Sequence, residues 1–192
     1  MHGRRFFLAA LGIGLTAVLA GCTARDDGGT GQPAIGGPFQ LVDQDGRKVD
    51  ESLLKGKWSA VFFGFTYCPD VCPTTMQALA AAEQRLGPKA DKLQVVFVSV
   101  DPERDTPAQL KTYLSNEGFP EQVVGLTGTP EQVAAAAKAY RVYFKKAGEG
   151  DDYLVDHSTP TYLMDPKGRF ARVLPYGISP EEIATQVSDA MR

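Results

Sequence analysis

Two long apolar segments dominate the hydrophobic pattern of the chain. Residues 58–66 (WSAVFFGFT) and 93–100 (LQVVFVSV) are nearly continuous runs rich in β-branched and aromatic side chains. Such runs are typical of strands that are covered on both faces, as in a parallel sheet. Between them, residues 74–86 carry apolar side chains at the three- and four-residue spacing of a helix. The order strand, helix, strand predicts a βαβ crossover.

Three further helices are predicted from a shared start signal. In each case a Ser or Thr is followed directly by proline and, three positions after the hydroxyl residue, by Gln or Glu. The hydroxyl can accept the amide N–H of that third residue, whose side chain reaches back, and proline suits the first helical position. The predicted helices span 107–117, 130–140 and 180–191.

The remaining apolar segments complete an α/β fold. Residues 39–42 and 47–49 flank an Asp-Gly turn signal and predict an N-terminal hairpin. Further strands are predicted at 123–126, 161–164 and 169–174. We therefore predict an α/β sandwich with a mixed sheet flanked by helices. Cys68 and Asp101 then follow the C-terminal ends of adjacent parallel strands, where open α/β sheets tend to bind ligands.

The N-terminal segment has the composition of an export signal. Arg4 and Arg5 precede a short apolar stretch whose small residues lead into Cys22. The pattern resembles a bacterial lipobox, and the arginine pair resembles a twin-arginine signal. We predict that residues 1–21 are removed and that Cys22 is lipidated, which anchors the protein to the bacterial cell membrane with its domain facing the periplasm or the cell exterior. A plain secretory signal and an uncleaved anchor are the alternatives.

The signal and a linker leave one domain. Residues 22–38 are rich in glycine and polar side chains, which is typical of a flexible tether, and residues 39–192 are enough for a single domain. The chain has 20 basic and 23 acidic residues, and the signal removes two arginines, so the mature protein has 18 and 23 and a net charge of −5. This balance, without a basic run, argues against nucleic acid as a partner.

Few residues remain that could carry chemistry. Of three cysteines and two histidines in the chain, only Cys68, Cys72 and His157 lie outside the signal and its lipidation site. Each cysteine precedes a proline, which disfavours helical torsions, so we predict Cys72 as a helix N-cap with Pro73 at the first helical position. The helix N-terminus would stabilise a thiolate there.

Three interpretations of the two thiols stay open at this point. They can form a structural disulfide, a redox-active dithiol, or part of a soft metal site for Cu(I) or Zn(II). A metal site needs at least one more ligand, and His157 is the imidazole available. A lone histidine also fits an ordinary surface or hydrogen-bonding role.

Three motifs together resemble the Sco (SenC) family of copper-delivery proteins. The first is CPDVCP at 68–73, the second is SVDPERDTP at 99–107, and the third is DHS at 156–158, followed by Tyr162 and Leu163. They occur in the family's order and spacing, and the resemblance covers roughly residues 36–192. It implies a thioredoxin-like fold.

The resemblance also implies a function. One copper ion, Cu(I) or Cu(II), would be held by Cys68, Cys72 and His157, received from an upstream copper donor and delivered to the dinuclear copper centre of cytochrome c oxidase subunit II. This metallochaperone role is not enzymatic. The alternative is a thiol–disulfide oxidoreductase that reduces the cysteines of that subunit or of other exported proteins. It would use the two cysteines alone, so the hypotheses differ over His157.

Acidic residues near the motifs are candidates for supporting roles. Asp70 and Asp156 adjoin the implied ligands and could orient them. Asp101 belongs to an acidic cluster with Glu103 and Asp105, for which turn and helix capping or contact with a partner are both open.

Pro160 is a further candidate. It stands where thioredoxin-like oxidoreductases carry a cis-proline beside the redox cysteines, although an ordinary trans proline before an edge strand also fits. A peroxidase of the same broad fold is a third, more distant hypothesis. Peroxiredoxins carry a threonine three residues before the reactive cysteine, where this chain has Phe65.

Overall fold

A computed structural model describes residues 35–192 of the chain. These residues belong to one compact unit, Pro33–Arg192. The predicted export signal, Cys22 and most of the predicted tether lie outside the described residues. Within 35–192, every helix is too short or too polar to cross a bilayer.

The described residues form nine strands and four α-helices. The strands are β1 (Gln40–Asp43), β2 (Lys48–Asp50), β3 (Trp58–Gly64), β4 (Leu93–Ser99), β5 (Val123–Thr127), β6 (Phe144–Ala147), β7 (Leu154–His157), β8 (Thr161–Met164) and β9 (Phe170–Leu174). The helices are α1 (Val71–Leu86), α2 (Pro107–Leu114), α3 (Pro130–Tyr140) and α4 (Pro180–Ala190). Two short 3-10 helices, Glu51–Leu54 and Gly87–Lys92, precede β3 and β4.

Seven strands form one mixed sheet in the order β2-β1-β5-β4-β3-β8-β9. The three central strands β5, β4 and β3 are parallel, and the outer pairs are antiparallel. Helix α1 packs against α4, α2 against β5, and α3 against β1. The predicted α/β architecture with a mixed sheet and flanking helices is confirmed.

The centre of the sheet is buried on both faces, as its apolar pattern predicts. Phe62 of β3 lies opposite Phe97 of β4 in the parallel register, and both side chains are fully buried. Their ring centroids are 6.0 Å apart in a tilted contact. Burial of this kind contributes about 1.5–3 kcal/mol for each large apolar side chain. The core therefore fixes the C-terminal ends of β3 and β4, from which the functional loops start.

Helix α1 begins earlier than the sequence predicts. It starts at Val71 with Asp70 at the N-cap position, so the prediction of Cys72 as N-cap is wrong and Cys72 is instead the second helical residue. Proline is tolerated at position 73 because the first N–H groups of a helix have no acceptor within the helix. The first intrahelical bond runs from the Thr74 N–H to the Asp70 carbonyl, at 3.1 Å.

Helix α2 and the segment that forms β6 and β7 differ from the prediction. Helix α2 ends at Leu114 rather than at 117, where a Ser-Asn turn replaces the last helical residues. Strands β6 and β7 form a separate two-stranded antiparallel sheet that the sequence did not predict. They are only four residues long, and β6 contains two lysines, so neither segment shows the apolar run of a buried strand.

Candidate metal centre

The two cysteines lie at the C-terminal end of β3, on the loop that leads into α1 and on its first turn. Cys72 is fully buried, whereas Cys68 is partly exposed, and neither forms a disulfide. The Cys68 N–H donates to the Phe65 carbonyl at 3.2 Å, which turns the loop back on itself. The Cys72 N–H donates to the Cys68 sulfur at 3.4 Å. The first turn of α1 thus presents an amide dipole to Cys68.

Gly64 makes room for the buried thiol. A Cβ atom at this position would lie 2.8 Å from Cys72 Sγ and 2.8 Å from the Phe62 ring, closer than real carbon contacts allow. A glycine inside a buried strand marks such a close approach. The last residue of β3 is therefore a glycine because the Cys72 sulfur packs directly against the strand.

His157 is the last residue of β7 and is held in one orientation. Its Nδ1 lies 2.9 Å from the Ser158 carbonyl oxygen. A carbonyl only accepts, so Nδ1 carries the hydrogen and Nε2 keeps a free lone pair. Nε2 lies 3.6 Å from Cys72 Sγ. Phe62 and Phe65 form T-shaped contacts with the imidazole, with ring centroids 6.1 and 5.8 Å away.

The three side chains form a compact cluster. One ligand atom from each of Cys68, Cys72 and His157 lies within 4.8 Å of the others, and in residues 35–192 no other group of three Cys, His, Asp or Glu side chains comes as close. Two sulfurs and one imidazole nitrogen suit a soft ion, Cu(I) first and Zn(II) second. The donor set fits a small soft cation.

The two thiols share one proton unequally. The hydrogen bond from Cys72 lowers the pKa of Cys68 to about 4 against the opposing effect of partial burial, and the N–H groups at the start of α1 lower it further. The same hydrogen bond, together with burial, raises the pKa of Cys72 far above its ordinary value. Cys68 is therefore a thiolate at neutral pH and Cys72 keeps its hydrogen.

Asp105 anchors the start of the cysteine loop. Its fully buried carboxylate accepts hydrogen bonds from the Thr66 N–H at 3.1 Å, the Thr66 hydroxyl at 2.7 Å and the Ser99 hydroxyl at 2.6 Å. These bonds tie the residue after β3 to the end of β4. In the sequence Asp105 stands out only as one member of an acidic cluster, and this internal role was not predicted.

The other acidic candidates are placed differently from one another. Asp101 is buried, forms an ion pair with Arg104 and accepts a hydrogen bond from Tyr153, so it faces the interior rather than the solvent. Asp70 is exposed and accepts from the Thr74 hydroxyl at 3.3 Å. Asp156 is exposed on β7, one residue before the inward-facing His157. Neither exposed carboxylate approaches the three ligand atoms as a fourth member of the cluster.

Pro160 follows a trans peptide bond, because the described residues contain no cis bond.

The roles of Phe62, Phe65 and Gly64 in shaping the site were not predicted from the sequence. The glycine inside an apolar strand just before the cysteines was the one local signal that could have identified a close approach.

The sequence matches the family model SCO1/SenC over residues 27–192. This chain belongs to the SCO1/SenC family. It is 48% identical over 144 residues to the mitochondrial SCO1 homolog 1 of Arabidopsis thaliana, covering 74% of this chain and 42% of the relative. The chain spans about half the length of this relative and of the SCO1 and SCO2 proteins of Saccharomyces cerevisiae that it matches.

Solved structures agree with this assignment. The copper-bound ScoI of Bradyrhizobium japonicum is 47% identical, with a TM-score of 0.74, covering 82% of this chain and 99% of that one. BsSco, a Sco-family cytochrome c oxidase assembly protein described with a disulfide switch, is 25% identical, with a TM-score of 0.66, covering 82% and 92%. The predicted thioredoxin-like fold is confirmed by this likeness.

The unequal thiols predict selective alkylation of the reduced, metal-free protein. Cys68 should react with iodoacetamide at a rate that is nearly constant from pH 6 to 8, since it is already a thiolate above its pKa of about 4. An ordinary thiol would react ~10-fold faster for each pH unit over this range. Peptide mass spectrometry after timed quenching gives both rates. Equal labelling of Cys68 and Cys72 would contradict the assignment.

Substitution of Gly64 tests whether close packing at this position affects the cysteines as well as the stability of the domain. Gly64→Ala should lower the free energy of unfolding by about 1–3 kcal/mol and also change the alkylation rate of Cys68, because the new methyl group displaces Cys72 Sγ. Gly125→Ala is the matched control: its Cβ would lie 2.5 Å from Leu114 in another part of the core. It should lower stability, measured by urea unfolding, without altering thiol reactivity. If both variants change reactivity alike, the role of Gly64 is not specific to the site.

Proposed function

We propose that this protein binds one copper ion through Cys68, Cys72 and His157 and delivers it to the dinuclear copper centre of cytochrome c oxidase subunit II. The observation that carries the proposal is the convergence of the three ligand atoms within 4.8 Å of one another. Membership of the SCO1/SenC family and the likeness to copper-bound ScoI support copper as the ion.

The site combines a fixed end and an accessible end, as transfer of a metal ion requires. Cys72 and His157 are backed by the core and by the rings of Phe62 and Phe65. Cys68 is partly exposed and already ionised. An acceptor thiolate can therefore bind copper from the open side and displace Cys68 first, followed by the two more buried ligands. Copper binding would release the Cys72 proton to solvent, and two thiolates and one neutral imidazole would satisfy Cu(I) at low coordination number, which leaves room for such an exchange.

Delivery to cytochrome c oxidase is supported by the description of BsSco as a member of a family of cytochrome c oxidase assembly proteins. An upstream donor would load the site by the same exchange in reverse. The acceptor's cysteines must be reduced to bind copper, so a Sco protein could also serve that subunit by reducing it.

A second candidate function is thiol–disulfide exchange, favoured by the unequal pKa values of the cysteines. The Cys68 thiolate would attack a disulfide in the partner, forming a mixed disulfide and releasing one partner thiolate. Cys72, in hydrogen-bond contact with Cys68, would then lose its proton and attack Cys68 Sγ, releasing the second partner thiol. Two electrons pass to the partner, and a Cys68–Cys72 disulfide forms. His157 is not needed in either step.

Titration with Cu(I) distinguishes the two functions. The reduced full-length protein in mild detergent, with Cys22→Ser to remove the third thiol, is titrated against a competing Cu(I) chelator. We expect one tightly bound ion per chain, and a fall in affinity on the order of 10³-fold or more, equivalent to several kcal/mol, in each of Cys68→Ser, Cys72→Ser and His157→Ala. If His157→Ala binds as tightly as the parent, the three-ligand site is wrong and the dithiol function is favoured.

We further propose that the protein is exported and anchored to the membrane by lipid on Cys22. The support is the sequence: a basic start, a short apolar stretch and small residues before the cysteine. A lipid anchor with a short polar linker would keep the copper site near a membrane-bound acceptor.

Labelling of lipids tests the anchor. In a bacterial host grown with labelled palmitate, the parent should incorporate label and lack residues 1–21 by mass spectrometry of the intact protein. Cys22→Ser should lose the label, whereas Cys68→Ser should keep it. Label that persists in Cys22→Ser, or an unprocessed and unlabelled parent, would contradict lipidation at this residue.

A further inference from the structure

His157 lies on a β-hairpin that does not pair with the main sheet. Within residues 35–192, strands β6 and β7 pair with each other and with no strand of the seven-stranded sheet. The position of His157 relative to the cysteine loop therefore depends on the three-residue link to β8 and on side-chain contacts between the hairpin and the rest of the domain.

Arg104 contacts both the cysteine loop and the β6–β7 hairpin. Its guanidinium lies 4.5 Å from the ring centroid of Tyr67, the residue before Cys68, and 3.6 Å from the ring centroid of Tyr153, the residue before β7. Its Nη1 also donates to the Asp151 carbonyl at 3.0 Å, in the turn between β6 and β7. A planar guanidinium can stack on aromatic rings and donate in plane at the same time, which a lysine ammonium cannot do.

Asp101 fixes the guanidinium in this position. The Arg104 Nε donates to Asp101 Oδ2 at 2.6 Å, and the Tyr153 hydroxyl donates to Asp101 Oδ1 at 2.5 Å. Asp101 is itself buried, and its N–H donates to the Ser99 hydroxyl at 3.0 Å. The Arg104 side chain is only 16% exposed, so its geometry is set by packing rather than by solvent. Arg104 is therefore held, through Asp101, at the end of β4, a buried central strand.

We propose that Arg104 is a positioning residue that holds the β6–β7 hairpin against the cysteine loop and so sets the separation between His157 Nε2 and the two sulfurs. Sites of this kind lose much of their strength when a ligand is displaced by about 1 Å. The role in metal binding rests on the proposed copper site, whereas the role in holding the hairpin does not.

The first experiment measures the hairpin without copper. NMR spectra of the reduced, metal-free full-length protein should show close contacts between the His157 ring and the Phe65 ring, and little millisecond exchange in β6–β7. In Arg104→Gln these contacts should weaken and relaxation dispersion should appear at the hairpin residues. Arg169→Gln is the matched control, because Arg169 forms an ion pair with Asp165 in the turn before β9 and makes no contact with the site. Arg104→Lys, which keeps the charge, should give an intermediate effect.

The second experiment is a double-mutant cycle in Cu(I) affinity. Arg104→Gln should weaken binding about 10- to 100-fold, as changes to residues that orient metal ligands do. Combined with His157→Ala, it should weaken binding no further than His157→Ala alone, because Arg104 acts through His157. Arg169→Gln should bind like the parent.

Each outcome decides a different point. If His157→Ala does not weaken binding, the proposed copper site fails, and the NMR comparison alone decides the role of Arg104. If His157→Ala weakens binding but Arg104→Gln and Arg104→Lys change neither affinity nor hairpin motion, the positioning role is overturned and the copper site stands. If the two losses add, Arg104 acts through the cysteines or through global stability, which also overturns it. Should Arg104→Gln fail to fold, Arg104→Lys carries the same comparisons.

Discussion

The contact between Cys72 Sγ and His157 Nε2, 3.6 Å apart across 85 residues of chain, is the interaction on which the site depends. Bringing together two residues so far apart in the chain costs conformational entropy, and the contact between a thiol and an imidazole alone is too weak to offset it. The folded core offsets it, because β3 and β4 are buried on both faces. The site is therefore a property of the whole domain, and a soft metal ion that binds all three ligands also stabilises the fold by linkage.

The hydrogen bond between the two cysteines, together with the deeper burial of Cys72, gives them different chemistry although they lie four residues apart. Cys72 packs against Gly64 beneath the first turn of α1 and keeps its proton. Cys68 accepts hydrogen bonds from the Cys72 amide and from the Cys72 thiol, and is ionised. An ionised, accessible sulfur next to a buried one suits metal exchange and disulfide exchange equally well. The cysteine loop alone does not distinguish the two functions, and a substitution of His157 does, because only metal binding would use its Nε2.

Sequence reasoning succeeded where the determining interactions are local. The apolar runs of β3 and β4 and the proline-containing helix starts were predicted, because each signal lies within a few residues of its effect. The N-cap at Cys72 was wrong because a rule about proline neighbours was applied without the bonds that let α1 start at Val71. The β6–β7 hairpin was missed because its stability comes from contacts of Tyr153 and Val155 with residues far away in the sequence. Motifs suggested the three ligands, but their orientation and the fit of Gly64 required the fold.

The acidic residues after β4 have a structural role that the sequence pattern does not reveal. Clustered carboxylates suggested capping or contact with a partner, but Asp101 and Asp105 are both buried and point to opposite halves of the site. Asp105 binds the start of the cysteine loop through Thr66, and Asp101 binds Arg104 and Tyr153 beside the histidine hairpin. Burying two carboxylates is costly unless each is hydrogen-bonded, and here each has several partners. One five-residue segment at the end of a central strand thus supports both halves of a site that no single element could assemble.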